Sequence, residues 1–454
     1  MSRKVEEIAK DELANGWRKT HNAVDITPEL NDKVVKVGGF VDNIRQLGRN
    51  LLFIVLRDGS GTVQITCKRK NISKDLFKKL RSLTKESVMG VEGVVRATEQ
   101  TVRGVEIIPN KIVFLSISDS PLPIDIKGKV KTTLKKRLDW RFLDLRKPKN
   151  ALIFKIMSEV EYAMREYWKR HGFIEIHTPK IMGAPSESGA ELFSLEYFGK
   201  KAYLAQSPQF YKQMAICAGF ERVFEIGPVF RANPSFTSRH DTEFTSVDIE
   251  MAWIRSHEDI MEFEEKWIHY IMTYIKKNYG NIIKEVYGIN IKVPTIPFPR
   301  VTMKEAIEIV KGRGHTCKLE LDTIGEKILG QAVLEEKKHE FVFITDFPWE
   351  VRPFYHMRYD DNKDLTKSFD LLWKGLEITT GAQREHRYEI LKQQAIEKGL
   401  NLDLIKFYLD FFRYGCPPHG GFGLSITRFV MQLLDFKNVR EVTLIPRDPD
   451  RLFP

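Results

Sequence analysis

Cysteine is scarce. Cys67, Cys217, Cys317 and Cys416 are scattered over 454 residues, with no Cys-x-x-Cys pair. That excludes a disulfide framework and a zinc ribbon, and it fits reduced thiols in a cytoplasmic compartment. The sequence also lacks any uninterrupted apolar run of the roughly 18 residues a membrane-spanning helix needs. The opening residues, MSRKVEEIAK, contain no apolar signal core, so secretion is not expected. Acidic residues fall short of basic ones, 61 against 72, leaving a net charge of +11. Such a surplus attracts polyanionic partners, although an ordinary soluble basic protein can carry the same charge. What remains is a folded chain with 42% hydrophobic residues, and its length suggests about two to three domains.

Residues 1–33 read as a polar, helical lead-in. Next come the runs VVKVGGFV, LLFIVLRD, TVQITCK, VMGVEGVV and VEIIPNKIVFL, ending near Ser118. Val- and Ile-rich runs parted by Gly or Asp-Gly turns predict about five strands. With a helix predicted over 74–87, they suggest an OB-type barrel, a common nucleic-acid platform. Residues 119–148 carry SDSPLPID, KGKVKTTLKKR and LDWRFLDLRKP, the Pro- and Lys-marked composition of a hinge. The block 149–454 is mixed α and β. Helical periodicity appears at 150–170, 256–278, 303–312, 322–338 and 386–412. No internal repeat is present.

Two segments carry chemistry. In ERVFEIGPVFRANPSFTSRHDTEFTSVDIEMAWI (221–254), two strand patterns flank a polar loop. Period-two alternation places Thr245, Val247, Ile249, Met251 and Trp253 on one face and Ser246, Asp248, Glu250 and Ala252 on the other. Arg231 ends the first strand, where a planar guanidinium can grip a phosphate. By itself the pattern is equally an ordinary charged hairpin. In GCPPHGGFGLSITRFVMQLL (415–434), Gly420, Gly421 and Gly423 form a loop-like run leading into an apolar helix. Glycines there would let a ligand approach the backbone. No Gly-Lys-Ser/Thr follows, so this is not a Walker loop.

Taken in order, HGFIEIHTPKI (171–181), FRAN…TSRHDTEF (230–244) and GFGLSITR (421–428) resemble the three motifs of the class II aminoacyl-tRNA synthetases. SESGAELFSLEYFGKKAYLAQSPQFYKQ (186–213) and FDLLWKGLEITTGAQREH (369–386) resemble the aspartyl branch. The resemblance implies an α+β catalytic domain built on an antiparallel sheet, preceded by an all-β OB-fold barrel that reads the anticodon. It implies ATP, L-aspartate and tRNA(Asp) as substrates, with tRNA(Asn) left open. It also implies Mg²⁺ accompanying ATP and a homodimer with Pro179 at its interface.

Site residues follow from the same likeness. Glu187 would meet the substrate ammonium, and Gln209, Lys212, Thr380 and Arg384 complete the aspartate pocket. Lys212 and Arg384 supply paired cations for the side-chain carboxylate, and that positive charge would penalise asparagine. Arg231 falls at the α-phosphate and the substrate carboxylate. Arg239 and His240 fall at the outer phosphates and Arg428 at the γ-phosphate, with Asn233, Asp241 and Ser425 nearby. Glu377, beside Thr380, would hold Mg²⁺, which suits a carboxylate and hydroxyl among phosphate oxygens. Arg231, Glu377 and Arg428 are the candidate catalytic groups. In the barrel, Arg45, Phe53 and Gln64 match anticodon contacts, although Phe53 is equally natural as a core aromatic.

The chain departs from the family pattern at three positions. Asn233 stands where the second motif has Glu. Ser425 and Thr427 stand where the third has Gly and an acid. An asparaginyl-tRNA synthetase, a silent RNA-binding paralogue and a tRNA-independent enzyme making asparagine are the rival readings. The retained Arg231, Glu377, Arg384 and Arg428 oppose the second, and the barrel opposes the third.

Overall fold

The computed structural model describes residues 5–7, 16–128, 130–185, 191–234 and 237–454. Glu187 lies outside the described residues. The chain divides into two compact units, Met1–Pro123 and Ile124–Pro454.

In the first unit the strands are β1 (Val34–Leu47), β2 (Leu51–Arg57), β3 (Thr62–Lys68), β4 (Val88–Ala97) and β5 (Val105–Ser116). Helix α1 (Lys74–Arg81) lies between β3 and β4. The neighbour order is β5-β3-β2-β1-β4, and pairing of β4 with β5 closes the barrel. Strict alternation explains the closure. Leu52, Ile54 and Leu56 of β2 are buried inside, while Leu51, Phe53, Val55 and Arg57 point outward. Ser73 caps α1 by accepting from the Leu76 N–H, and Leu76, Phe77 and Leu80 are buried. The lead-in differs from its helical reading. Among its described residues it forms a two-residue strand, Glu6–Glu7, parallel to β5, and 3-10 turns at Ala23–Asp25 and Pro28–Leu30. Asn22 and Thr27 before those turns have extended backbones, and Pro28 opens the second.

In the second unit, α2 (Leu134–Asp139) and α3 (Arg141–Asp144) occupy part of the stretch read as a hinge. Arg141 is buried there. Its Nη2 donates to the Glu441 and Thr443 carbonyls at 2.9 and 2.8 Å, and its Nε to Leu444 at 3.0 Å. Then follow α4 (Pro148–Arg170), β6 (Ile174–Glu175), α5 (Gln209–Cys217), β7 (Arg222–Phe230), β8 (Glu243–Ala252) and α6 (His257–Tyr287). After these come β9 (Arg300–Thr302), α7 (Met303–Gly312), α8 (Thr323–Lys337), β10 (Phe341–Thr345), β11 (Ser368–Trp373) and β12 (Leu376–Gln383). The chain continues with α9 (Tyr388–Glu397), α10 (Leu402–Arg413), β13 (His419–Ser425) and α11 (Ile426–Leu433). The periodic stretch 386–412 is therefore two helices. Gly399, at φ 71°, turns the chain between them.

The sheet order is β9-β10-β11-β12-β13-β8-β7-β6. From β10 to β7 every pairing is antiparallel, and only the edge pairs are parallel. One face packs on α4, α6 and α11 through a core that includes Val247, Ile249, Phe422 and a Trp168–Trp267 stack 4.9 Å apart. The opposite face is apolar at its two ends, where Val342, Ile344 and Leu372 pack on α7 and α8 and Val223 and Ala252 pack on α5, and polar between them, where Asp248 and Glu250 lie. Trp253 does not continue the apolar face of β8. The strand ends at Ala252, Trp253 has φ 62°, and its ring is exposed. Its indole N–H donates to Glu221 at 3.1 Å instead.

Candidate active site

On the polar part of this sheet face lies a cavity of about 740 Å³. Its lining brings together Gln209, Lys212, Arg231, Asn233, Arg239, His240, Asp241, Glu377, Thr380, Arg384, Ser425 and Arg428. These come from α5, from the β7–β8 hairpin, from β12 and its end, and from the β13–α11 junction, so the sheet gathers them from some 220 residues of sequence.

The floor is an ionic cluster. Period-two alternation in β8 turns Asp248 and Glu250 away from the Val247–Ile249 core. Lys212 Nζ lies 3.0 Å from Asp248 and 3.3 Å from Glu250. Arg384 Nε donates to Glu250 Oε1 at 2.9 Å, its Nη2 to the Gly421 carbonyl at 3.0 Å, and its Nη1 to His356 at 3.2 Å. All four charged groups are buried. Burial pushes the Glu250 carboxyl up, but Arg384 and Lys212 outweigh it and hold the group below its ordinary range. The cations are thus balanced by two carboxylates. This corrects the expectation of a pocket with uncompensated positive charge: the cluster offers oriented donors rather than net charge, since buried cations need such partners.

The glycines of the third motif are also placed differently from the sequence expectation. Gly420, Gly421 and Gly423 lie within β13 itself. A Cβ at Gly421 would fall 2.0 Å from the Ile249 carbonyl oxygen and 2.6 Å from Glu250 Oε2. The absent side chains of Gly421 and Gly423 make room for Glu250 and Asp248 of the neighbouring strand, Gly420 packs against the Ala382 carbonyl, and Gly423 also lines the cavity.

At the other end, Arg231 follows β7 and its guanidinium lies over Phe244, 5.7 Å from the ring centre. Arg239 pairs with Glu326 of α8 at 2.8 Å and donates to Thr323 at 2.6 Å. His240 contacts Thr237 Oγ1 at 2.5 Å. Burial, then Arg428 and Arg239, lower its pKa to about 4, so the ring is neutral. Asp241 accepts from Thr443 at 2.7 Å, and burial pushes its carboxyl up to about 6. Arg428 Nη1 donates to the Glu377 carbonyl at 3.2 Å and approaches its Oε1 at 3.4 Å. Thr380 donates to that same Oε1 at 3.2 Å. Ser425 has a structural task, because its Oγ accepts from the Arg428 N–H and caps α11. It also lies 3.0 Å from Thr427 Oγ1.

Sequence reasoning missed Arg352 and His356 of the lining, and Asp370 beside it. Asp370 faces Thr380 across the sheet and pairs with Arg352 at 2.8 Å. Burial, and then Glu377 against the opposing pull of Arg352, push its carboxyl up to about 6. His356 lies in an irregular stretch with no periodic signal. Gln209 lies in the cavity wall, with its amide donating to Gln213 at 2.8 Å.

The three barrel candidates share the outer surface. Arg45 lies 4.9 Å over the Phe53 ring, which is half-exposed and outside the barrel core. Gln64 donates to Glu106 at 3.3 Å and to Thr66 at 3.2 Å. Elsewhere, His315, Cys317 and Asp322 bring possible metal-ligand atoms within 4.8 Å. Asp322 is already engaged, accepting from the Ile324 and Gly325 N–H groups as the cap of α8 and meeting His315 at 2.9 Å. That trio reads as a helix cap.

Comparison with known proteins fits this geometry. The family described as tRNA synthetases class II (D, K and N) matches residues 133–449, and the OB-fold nucleic acid binding domain matches residues 35–115. A relative from Pyrococcus abyssi, named aspartate–tRNA(Asp) ligase, is 47% identical over 96% of this chain and all of its own length. One from Aeropyrum pernix, named aspartate–tRNA(Asp/Asn) ligase, is 45% identical over 92% of this chain and 95% of its own. The crystal structure of asparaginyl-tRNA synthetase from Pyrococcus horikoshii with asparaginyl-adenylate superposes with a TM-score of 0.88. It is 32% identical and covers 96% of this chain and all of that one. The chain belongs to the class II tRNA synthetases of the D, K and N group and, within them, to the archaeal-type aspartyl-tRNA synthetases.

Proposed function

We propose that the cavity activates L-aspartate with ATP and that the chain then transfers the aspartyl group to the 3′ end of tRNA(Asp). The observation that carries this reading is the fixing of Lys212 and Arg384 on Glu250 at the cavity floor. Donors held in this way select acceptors. A β-carboxylate offers only acceptors, whereas the amide of asparagine would set N–H groups against N–H groups. Discrimination rests on hydrogen-bond polarity rather than on surplus charge.

In this reading Glu187 and Gln209 receive the ammonium end of the substrate. Arg231 orients its α-carboxylate against the α-phosphate. The carboxylate oxygen attacks the α-phosphorus in line, the bond to the bridging oxygen breaks, and pyrophosphate leaves. Arg231 and Arg428 neutralise the developing charge, with Arg239 and His240 on the outer phosphates and Asn233, Asp241 and Ser425 flanking the nucleotide. The 3′-hydroxyl of the tRNA then attacks the mixed anhydride and releases AMP. Glu377 and Thr380 offer two neighbouring oxygens with Asp370 across the strand, a donor set that fits Mg²⁺. When bound there, the ion would add positive charge at the phosphates.

The residues before 119 serve as the anticodon-binding barrel, with Arg45, Phe53 and Gln64 on its reading surface; residues 119–148 connect it to a catalytic domain spanning 149–454. Pro179, Ile174 and Ile181 are exposed, which supports a homodimer through the first motif. No helix of the described residues is long and apolar enough to cross a membrane, and a cytoplasmic site of action is part of the same proposal. Aminoacylation of purified tRNA(Asp) and tRNA(Asn) tests the reading. Charging of tRNA(Asp) with aspartate is expected, and charging with asparagine instead would overturn it.

A further inference from the structure

His356 is 2% exposed, lines the cavity, and touches Arg384. It sits within the long irregular connection from β10 to β11, and a backbone bridge ties it to Arg384 as well. The side-chain contact fixes the chemistry of the ring. A guanidinium can only donate, so His356 Nε2, 3.2 Å from Arg384 Nη1, must be the acceptor. The ring is therefore neutral with its proton on Nδ1. Nδ1 has no hydrogen-bond partner among the described residues. Burial, followed by Arg384 and Arg352, disfavours the charged ring and holds its pKa well below the ordinary value.

Each edge of the guanidinium is thereby held. Glu250 takes Nε, the Gly421 carbonyl takes Nη2, and His356 takes Nη1. The first is a carboxylate that cancels charge, whereas His356 restrains the fork without cancelling any. An acid at this position would turn the cluster net negative toward an incoming carboxylate, and a protonated ring would repel Arg384. Gln394, which is buried, fixes the backbone of this segment by donating to the Phe354 and His356 carbonyls at 2.6 and 3.0 Å.

We propose that His356 is a specificity-determining positioning residue. As a neutral Nδ1–H tautomer it orients Arg384 for the side-chain carboxylate of aspartate. The inference rests on the reading of Arg384 as the aspartate contact. Amino-acid-dependent ATP–pyrophosphate exchange tests it with His356→Phe, His356→Gln and Arg384→Ala. His356→Phe keeps a flat ring and removes the acceptor. It is expected to raise the aspartate KM about tenfold or more and to narrow the preference for aspartate over asparagine, with the KM for ATP unchanged. His356→Gln restores an acceptor and should recover most of the aspartate affinity. An unchanged aspartate KM in His356→Phe, or equal losses for aspartate and ATP, would overturn the proposal. If Arg384→Ala itself leaves the aspartate KM unchanged, the pocket assignment fails instead. Should the Phe variant not fold, the tautomer is measurable on the unmodified enzyme by ¹⁵N-histidine NMR, assigned with His356→Gln. A protonated Nε2 would contradict the proposal.

Discussion

Glu250 lies between two cations: its Oε1 accepts from Arg384 Nε at 2.9 Å, and its Oε2 lies 3.3 Å from Lys212 Nζ. The carboxylate is wholly buried. Its removal leaves two buried cations facing the single carboxylate of Asp248. Glu250→Gln is expected to destabilise the protein by about 3–5 kcal/mol, the usual cost of breaking a buried pair. Chemical denaturation checks this. A loss under about 1 kcal/mol, typical of exposed pairs, would show that water reaches the cluster.

Glu377 and Thr380 share one oxygen contact beside Arg428. Glu377→Gln removes the charge that favours a hard cation there. Activity of that variant should require a markedly higher Mg²⁺ concentration, read from a Mg²⁺ titration of adenylate formation. A titration that coincides with that of the unmodified enzyme would assign the ion elsewhere.

Glu264 of α6 is buried beneath the sheet, where it accepts from Thr379 at 2.6 Å. Burial pushes its carboxyl up from 4.5 to about 8. Between those values the folded protein holds a proton that the unfolded chain has lost, so this group's contribution to stability falls as pH rises through that window. Glu264→Gln cannot ionise. Its Tm should match that of the parent near the low end of the window and exceed it near the high end, measured by calorimetry at both. A constant difference across the range would remove Glu264 as the titrating group.

Much of this was legible in the sequence because periodicity reports faces directly. The alternation in SVDIEM put Asp248 and Glu250 opposite Val247 and Ile249, as the structure has them. The barrel strands were equally plain. What periodicity cannot report is pairing across long separations. Lys212 and Glu250 are brought together by the packing of α5 on β8, so the sequence showed two cations without their counter-charges. His356 lies in irregular chain, where no pattern marks a residue. The glycines of β13 were read as a loop because a glycine run lacks side-chain alternation. The spacing of Gly421 and Gly423 answers to Glu250 and Asp248 of β8 instead.

The barrel surface makes a separable prediction. Phe53 is half-exposed beneath Arg45. A stacked base is worth about 1–3 kcal/mol, so Phe53→Ala should raise the KM for tRNA(Asp) about tenfold or more. ATP–pyrophosphate exchange, which needs no tRNA, should be unaffected. Equal losses in both assays would make Phe53 a folding residue rather than a reading one.

The central claim is that the Lys212–Arg384–Glu250 cluster selects aspartate. Its most direct test is ATP–pyrophosphate exchange across the full set of amino acids, run beside Arg384→Ala. Exchange with aspartate alone, abolished in the variant, is the predicted result. Exchange with asparagine, or aspartate exchange that survives loss of Arg384, would contradict it.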